Sequence, residues 1–531
     1  MNLLDNQRSA DQVAGLYQDL EEQLMANIIR HCRDYGQPIP TDEWLMRKLA
    51  EIGKLNQENI KIIARNTGLS QTAMERMLTD MAEKTIKELE PGFQYLAKEN
   101  LVGKVIKPEK SKGVKKVISA LQKQAKDTMN LCNTTMLYKA RDAFTNLVKN
   151  IAFTAGEIAN KPSFLDTLNK RTTEVVIGAT SRQQALRKCI REFNEKGIPA
   201  FVDKRGREWT PEAYVNMAMR NTNKQVSEQI QDERCKDYGI RLIEIDSHSG
   251  ARPKCAKDQG KIYSLDNKSG YTTDADGKKI PYYPWNRTSY GEPDGILGIN
   301  CTHHKWPFIA GASIRRYFPT DDLESNNRLY RQTQTQRALE RAVRKQKREC
   351  MLFDQIGDEQ GFEEASVKLK TKEAQLKSYV DQHESLHRRK DREQVVGFDK
   401  RTSAKAIGTN KKVQKELAEK ARNDKIIAEI KEAGMRGEIE LHPEIPDTDK
   451  LSFDGVHING ERKHGVTEEE AKSYIKNARF SATKWKGKYT NYFSDDGAAY
   501  VDNETGSIRT AFKKEQYDDK VRKAMEVVKG E

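Results

Sequence analysis

Cysteine and histidine side chains are concentrated in two short segments in the middle of the chain. The first contains His248 and Cys255, and the second contains Cys301, His303 and His304. Thiolates and imidazoles are the ligands that zinc prefers in proteins, so the two segments together could supply a four-coordinate zinc site. Its candidate ligands are Cys255, Cys301, His303 (or His304) and His248.

The spacing of these residues leaves two other interpretations open. The sequence has no Cys-x-x-Cys pair of the kind found in structural zinc sites, so the same side chains could be packed residues of turns. A cysteine beside a histidine could also act as a nucleophile with its base. For that chemistry the sequence shows no third group that would orient the histidine.

A second group of polar residues lies near the C-terminus. His457, Lys463 and His464 precede a predicted helix, and Arg509 and Thr510 lie on a predicted strand. RNA cleavage without a metal needs a base for the ribose 2′-hydroxyl, an acid for the leaving oxygen and cations for the phosphate. This group supplies such residues, with Lys463 and Arg509 as the nucleic-acid contacts. The alternative is an exposed basic surface with no activity.

The elements around the second group predict a small α+β domain over residues 437–531. Thr467 opens a capping box before a helix that ends near Asn477. A four-stranded meander and a last helix from about Glu515 to Val528 follow. The predicted strands are Phe480–Trp485, Tyr489–Phe493, Ala498–Val501 and Ser507–Phe512.

The first group lies in a predicted α/β domain over residues 171–319. Val175–Ile177 predicts a short strand closed by a glycine, and Leu186, Ile190 and Phe193 form one face of the next helix. A hairpin at Phe201–Trp209, a helix capped by Thr210 and a strand at Arg241–Asp246 are predicted to follow. They are typical of a mixed sheet.

Residues 1–170 are predicted to be helical, with Val13, Leu16, Leu20 and Leu24 on one face and a second helix starting near Thr41. The segment Ile60–Glu75 has the helix, glycine turn, serine cap and helix order of a DNA-reading helix-turn-helix. Its second helix carries few basic or amide side chains, which favours packed structural helices. The lysine-rich residues 104–126 predict an exposed connector.

Residues 320–436 are rich in arginine, lysine, glutamine and glutamate. Apolar residues spaced by four and seven predict two long helices, in the manner of a coiled-coil hairpin, with a break at Ile356–Asp358. Gly397–Asn410 predicts a flexible link. The fold class is therefore multidomain α+β: a helical N-terminal region, an α/β middle domain, long charged helices and a small α+β C-terminal domain.

The composition narrows the class of protein. Hydrophobic residues are 36% and charged residues 32%, which fits small domains and solvated helices better than one large enzyme core. The net charge of +14 favours anionic partners such as DNA or RNA, or reflects a lysine-rich surface. Seven widely spaced cysteines do not form a disulfide pattern, and neither a secretory signal nor a membrane span is evident.

The middle motifs resemble those of the phage minor capsid protein 2 family, which is related to the head-morphogenesis protein of phage Mu. Two strings occur in the family's order, Gly250–Arg252 leading to Gln259–Gly260, and Asn300–His303. Many members have histidine where this chain has Cys255, which weakens a metal site more than the family assignment. The resemblance implies a virion protein, present in the host cytoplasm during assembly, that contacts portal and capsid proteins and assists head assembly. It implies no enzymatic step for the middle section.

The C-terminal domain resembles the small RNases of polymorphic toxins through its helix-then-meander order and the string Arg509–Phe512. That likeness implies a metal-independent endoribonuclease in which His464 and His457 are catalytic and Arg509 and Thr510 bind phosphate. Two hypotheses of different class follow: a structural virion protein, and the same protein carrying an RNase effector. A third, a DNA-binding assembly factor, depends on the turn at Gly68 and the lysine-rich connector.

Overall fold

The structure is a computed structural model that describes residues 3–33, 39–103, 106–159 and 174–530. The chain forms two compact units, Met1–Asn410 and Lys411–Glu531. The boundary predicted between residues 170 and 171 lies outside the described residues. The fold class predicted from the sequence, a multidomain α+β protein with a helical N-terminal region, is confirmed.

Long helices form most of the first unit. The α-helices that begin in this unit, within the described residues, are α1 (Leu3–His31), α2 (Thr41–Ala50), α3 (Ile52–Lys98), α4 (Lys112–Ala159), α5 (Glu174–Lys196), α6 (Pro211–Tyr238), the short α7 (Pro253–Asp258), α8 (Leu323–Ile356), α9 (Glu359–Asp381) and α10 (Lys400–Glu432), most of which belongs to the second unit. One hydrophobic core joins α1, α3, α4, α5, α6, α8 and α9. The predicted face of α1 contributes Val13, Leu20 and Leu24, all fully buried. Burial of this shared apolar surface holds the helices together.

The helix-turn-helix interpretation is wrong, because α3 is one continuous helix through Gly68. Ser70 is not an N-cap: it is buried inside the helix and its hydroxyl donates to the Thr67 carbonyl. Ile63 and Met74 on either side lie in the shared core. A glycine costs a helix about 1 kcal/mol, and packing of this kind outweighs that cost.

Three further expectations about local structure are corrected. Val175–Ile177 is part of α5 and not a strand, since valine and isoleucine cost a helix only about 0.7 kcal/mol or less each. The lysine-rich connector is helical from Lys112 onward. Lys400–Asn410 is likewise helical, as the start of α10, and not a flexible link.

The predicted pair of long charged helices is confirmed as α8 and α9. Gly357, with a left-handed φ of 73°, ends α8, and the Asp358 side chain caps α9 by accepting from the Gly361 amide at 3.1 Å. The two helices pack against each other within the chain. Their apolar contacts include Val343, Leu369 and Leu376, all buried.

A five-stranded sheet lies after α6. Its strands are β3 (Leu242–Ile245), β4 (Ile262–Ser264), β5 (Gly270–Thr273), β6 (Lys279–Pro284) and β7 (Lys305–Phe308), in the order β5-β6-β4-β3-β7. The predicted hairpin is present as β1 (Phe201–Val202) and β2 (Glu208–Trp209), and Thr210 caps α6 as predicted. The predicted strand at Arg241–Asp246 is β3.

The second unit contains a six-stranded sheet. The strands are β8 (Glu438–Leu441), β9 (Ser452–Phe453), β10 (Phe480–Lys484), β11 (Tyr489–Phe493), β12 (Gly497–Asp502) and β13 (Ser507–Lys513), in the order β8-β10-β11-β12-β13-β9. Helices α11 (Glu468–Lys476) and α12 (Asp519–Lys529) complete the unit. The four meander strands and the Thr467 capping box are confirmed, whereas β8 and β9 were not predicted.

No helix within the described ranges is long and apolar enough to cross a membrane.

Candidate metal centre

The two middle strings lie side by side in the structure, at one end of β3. Cys255 lies on α7, which follows β3. Cys301 and His303 lie in the segment 288–304, which contains neither helix nor strand and leads into β7. Because β3 and β7 pair antiparallel, the end of β3 and the start of β7 meet at the same edge. The sheet pairing therefore brings the two strings together.

Three of the four predicted ligands converge. The Sγ atoms of Cys255 and Cys301 are 3.8 Å apart, and Nδ1 of His303 lies 3.3 Å from the Cys301 sulfur. The three ligand atoms all lie within 4.8 Å of one another. Cys255 and His303 are buried and Cys301 is partly exposed. This is a compact group of two thiols and one imidazole.

Gln259 orients the His303 ring. Its side-chain oxygen accepts a hydrogen bond from Nε2 of His303 at 2.6 Å, and the Gln259 side chain is itself fully buried. Gln259 is held in turn by the hydroxyl of Thr320, to which its amide donates. The proton of the ring is thereby fixed on Nε2, which leaves the lone pair of Nδ1 directed at the thiols.

His248 and His304 take other positions. The His248 ring stacks on His303 with centroids 4.4 Å apart, and its Nε2 is 2.6 Å from the Thr302 hydroxyl. His304 is buried, its backbone amide donates to Asp246, and its Nε2 has no hydrogen-bond partner in the described part of the chain. His303 is therefore the histidine of the cluster, and His248 is its neighbour.

Two glycines of the first string are required by the backbone. Gly250 and Gly260 have φ angles of 72° and 69°, in the left-handed region that favours glycine. A Cβ on Gly260 would lie 2.1 Å from the Phe318 carbonyl, and one on Gly250 would lie 3.1 Å from the side chain of Leu329. These glycines let the string pack closely against the residues that follow the sheet.

Residues outside the motifs complete the site, and no pattern in the sequence predicts them. Asn326 accepts from the amide of Ala251 at 2.8 Å and donates to its carbonyl at 2.7 Å, which fixes the first string. Lys224, buried on α6, donates to the Cys301 carbonyl at 3.2 Å. Both are distant along the chain and belong to no local pattern.

Burial and the neighbouring groups set the ionisation of the cluster. The pKa of the Cys301 thiol is lowered, first by the hydrogen bond from Cys255, then by His303 and by the charge of Lys224. The same hydrogen bond and burial raise the pKa of Cys255. Burial also raises the pKa of Asp246 to about 6. The Leu297 amide donates to the Cys301 sulfur at 3.2 Å, which further supports a thiolate there.

The C-terminal group is more dispersed. The amide of His457 donates to one oxygen of Asp454, and Nε of Arg509 lies 3.9 Å from the other. A β-bulge places Arg509 between Ile508 and Thr510, which pair with consecutive residues of β12. The side chain of His457 is bonded to Glu461 at 2.7 Å.

His464 lies apart from these contacts. Its Nδ1 donates to Gln516 at 3.1 Å, and its ring is 5.7 Å from that of Phe512. Thr510 is half-buried on β13, and Lys463 is exposed, with a left-handed φ of 53°. The structure joins His457 and Arg509 through Asp454 and gives His464 different partners.

Comparison with known proteins identifies two relatives of this chain. A structural protein of Lactococcus phage LL-H is 28% identical over 357 residues, covering 66% of this chain and 88% of the relative. A structural protein of Lactococcus phage mv4 is 33% identical over 111 residues, covering 20% of this chain and 88% of the relative. No solved structure matches.

Both relatives are phage structural proteins, and the sequence profile of one family accounts for most of this chain. The profile of phage minor capsid protein 2 matches residues 5–381. The chain belongs to the phage minor capsid protein 2 family. The matched residues contain both Cys/His strings and end at the last residue of α9, so Lys411–Glu531 lies beyond them.

Proposed function

We propose that this protein is a minor structural component of a phage head, that it lies near the portal, and that it assists head assembly through contacts with portal and capsid proteins. The observation that carries the proposal is the family match over residues 5–381. Those residues include most of the large core, which extends beyond them to Leu386 and to Ala406 on α10. The matched part is thus most of the folded body of the first unit.

The shape of that body suits a structural role. Helices α3 and α4 contain 47 and 48 residues, and at 1.5 Å per residue each is about 70 Å long. Their inner faces are buried in the core, while Leu69, Leu131 and Phe153 remain exposed on α3 and α4. Single exposed apolar residues are ordinary on a protein surface, so the support for a structural role is the length of these helices, which gives an extended surface for neighbouring virion proteins.

Virion localisation is the test. The chain would be tagged at its C-terminus in the phage that encodes it, and virions would be purified through a density gradient and washed in high salt. The tagged chain is expected to remain with the particles, and gold-labelled antibody is expected at one vertex of the head. Absence from washed virions would overturn the proposal, and labelling spread evenly over the head would overturn the portal location.

A second candidate function is a C-terminal RNase effector. The specific observation that favours it is the β-bulge at Arg509, since bulges often re-aim a side chain beside an active site. His457 shares Asp454 with that guanidinium. The His457 contact is made by the backbone amide, so Asp454 links the backbone at His457 to the Arg509 guanidinium, while the imidazole is bonded to Glu461.

The RNase candidate predicts that the full chain cleaves RNA in the presence of a metal chelator. Substitutions Arg509→Ala and His464→Ala are each expected to reduce cleavage at least tenfold. Lys476→Ala, which removes an exposed cation at the end of α11, is the matched control and is expected to cleave normally. Equal cleavage by all four proteins would identify a contaminant, and no cleavage by any would leave the second unit without this activity.

A further inference from the structure

We propose that Cys255, Cys301 and His303 bind one zinc ion, through their two sulfurs and Nδ1 of the imidazole. The ion fastens the segment 288–304 to helix α7. Its role is structural: it fixes the fold of the sheet domain of a virion protein. The inference concerns the stability of this domain and stands independently of where the protein lies in the particle.

The spacing of the three ligand atoms fits a tetrahedral zinc site. With Zn–S bonds of about 2.3 Å and a Zn–N bond of about 2.0–2.1 Å, two sulfurs lie about 3.8 Å apart and a sulfur and a nitrogen about 3.6 Å apart. The separations in the protein are 3.8 Å between the sulfurs and 3.3 Å between the Cys301 sulfur and Nδ1 of His303. The sulfur pair has the separation that the ion requires, the Cys301 sulfur and Nδ1 are slightly closer than it requires, and the Cys255 sulfur lies within 4.8 Å of Nδ1.

The residues around the ligands have the features of an outer coordination shell. A histidine that binds zinc usually donates its other ring N–H to a fixed acceptor, and His303 donates Nε2–H to the fully buried Gln259 at 2.6 Å. The Leu297 amide donates to the Cys301 sulfur at 3.2 Å. These contacts fix the tautomer of the imidazole and stabilise negative charge on the thiolate.

The fourth position is assigned to solvent. His248 stacks on the His303 ring, and its Nε2 is held by the Thr302 hydroxyl at 2.6 Å. It does not belong to the group of ligand atoms that lie within 4.8 Å of one another among the described residues. His248 therefore positions the ring of a ligand and covers one side of the site.

The hydrophobic core beside the site is small, which favours a metal ion as an additional link. Only a few buried apolar residues hold α7 and the segment against the sheet: Ile243, Ile245, Tyr263, Ile296 and Leu297, together with Cys255 itself. Segments of this length without regular structure are uncommon unless something fixes them. A zinc ion bonded to both sides contributes its binding free energy directly to folding.

Two other chemistries are compatible with the same three side chains. Cys255 and Cys301 could join as a disulfide, and Cys301 with His303 and Gln259 has the order of a nucleophile, a base and an orienting amide. The disulfide would leave no thiolate for a metal. The nucleophile would bind no metal and would be alkylated readily, whereas a zinc-bound thiolate is protected.

Metal analysis of the full chain, purified under reducing conditions without chelator, tests the proposal. Wild-type protein is expected to hold near one zinc per chain, and Cys301→Ser near zero. Cys235→Ser, which alters a buried cysteine outside the cluster, is the matched control and is expected to keep near one.

A ligand exchange keeps the test decisive if Cys301→Ser fails to fold. Cys255→His replaces one zinc ligand by another, so zinc content is expected to stay near one. After replacement of zinc by cobalt, the thiolate-to-cobalt absorption is expected to fall by about half, because one of two thiolates has been removed. Wild-type protein with near-zero zinc overturns the proposal, whether mass analysis finds the Cys255–Cys301 disulfide or alkylation finds a reactive Cys301.

Discussion

The Cys/His group beside the five-stranded sheet of the first unit and the polar group of the second unit differ in burial and in how firmly their side chains are held. Cys255, Gln259 and His303 are buried, and each has a defined partner. Arg509 and His457 lie at the surface, and the guanidinium is 3.9 Å from its nearest carboxylate. Burial forces polar groups into fixed arrangements, because a buried group without a partner is costly, whereas a surface group is satisfied by water.

The largest expected effect of this difference is at Arg234 on α6. Its side chain is fully buried and donates to Glu90 at 2.6 Å, to Asp237 at 2.6 Å and to the Ile106 carbonyl at 2.6 Å. Arg234→Met would leave Glu90 buried without its cation, so the free energy of unfolding is expected to fall by about 3–5 kcal/mol. Urea unfolding followed by circular dichroism measures the loss.

Removing both charges is the control for this prediction. In the double variant Arg234→Met with Glu90→Gln the buried carboxylate is gone, and the carboxylate of Asp237, which is 20% exposed, can be hydrated, so part of the lost stability is expected to return. Tyr238 can still bond the residue at position 90, as its hydroxyl now does to Glu90 at 3.2 Å. A single-variant loss below about 1 kcal/mol would contradict the view that burial sets the cost of charge here.

Glu22 tests the cost of burying a charge through the dependence of stability on pH. Burial raises its pKa to about 7 from the ordinary 4.5, against the lowering effects of the Gly397 amide and Arg348. Because the folded state holds the proton more tightly than the unfolded state, stability is lost as pH rises between 4.5 and about 7, and stays lower above that. Glu22→Gln is therefore expected to be more stable than wild type at pH 8 by about 1–3 kcal/mol.

The neighbouring acid on α1 is the matched control. Glu21 accepts from Arg348 at 3.1 Å and from the Ile198 amide at 3.0 Å, so its charge is compensated. Glu21→Gln is expected to lower stability at pH 8, opposite in sign to Glu22→Gln. Unfolding midpoints at pH 5 and pH 8 distinguish the two, and a pH-independent effect of Glu22→Gln would contradict the prediction.

The C-terminal meander was predictable from the sequence because its signals are local. Glycines at Gly487, Gly497 and Gly506 mark the turns, and Thr467 with Glu470 marks the start of α11. Such signals act within a few residues, and the observed strands agree with them. β8 and β9 were missed because short edge strands of four and two residues depend on partners elsewhere in the sheet.

The candidate metal ligands were predictable in type but not in arrangement. Cysteine and histidine in two strings indicated the chemistry, yet only the pairing of β3 with β7 selects His303 over His304. The contributions of Gln259 and Lys224 arise from tertiary contacts. Local rules failed for the same reason in α3, where core packing carried the helix through Gly68.

Gly68, an exposed position on α3 in the first unit, tests the effect of burial with a smaller expected change in stability. A Cβ there would meet no atom within 4 Å. Gly68→Ala is expected to raise the free energy of unfolding by about 0.5–1 kcal/mol, since alanine loses less backbone freedom on forming a helix. Thermal or urea unfolding measures the gain.

A second helical glycine gives the opposite expectation. At Gly361 a Cβ would lie 2.6 Å from the Phe353 ring, and both residues pack where α8 meets α9. Gly361→Ala is therefore expected to destabilise the protein. Equal effects at the two positions would show that burial does not decide the outcome.

The smallest expected effect is at Arg509. Its side chain is 51% exposed and its Nε lies 3.9 Å from Asp454. Arg509→Ala is therefore expected to change the free energy of unfolding by less than about 0.5 kcal/mol. Phe480→Ala, which empties a fully buried position in the same unit, is expected to cost about 3–5 kcal/mol and shows that the assay is sensitive there.

A loss of more than about 1 kcal/mol for Arg509→Ala would mean that the Arg509 side chain stabilises the fold. The contrast between the buried Cys/His group and the exposed C-terminal group would then be wrong. If the free energy of unfolding is unchanged, the Arg509 side chain does not stabilise the fold. The role of Arg509 at the irregular pairing of β12 and β13 would then not be stability, and the RNA cleavage assay tests whether it contacts phosphate.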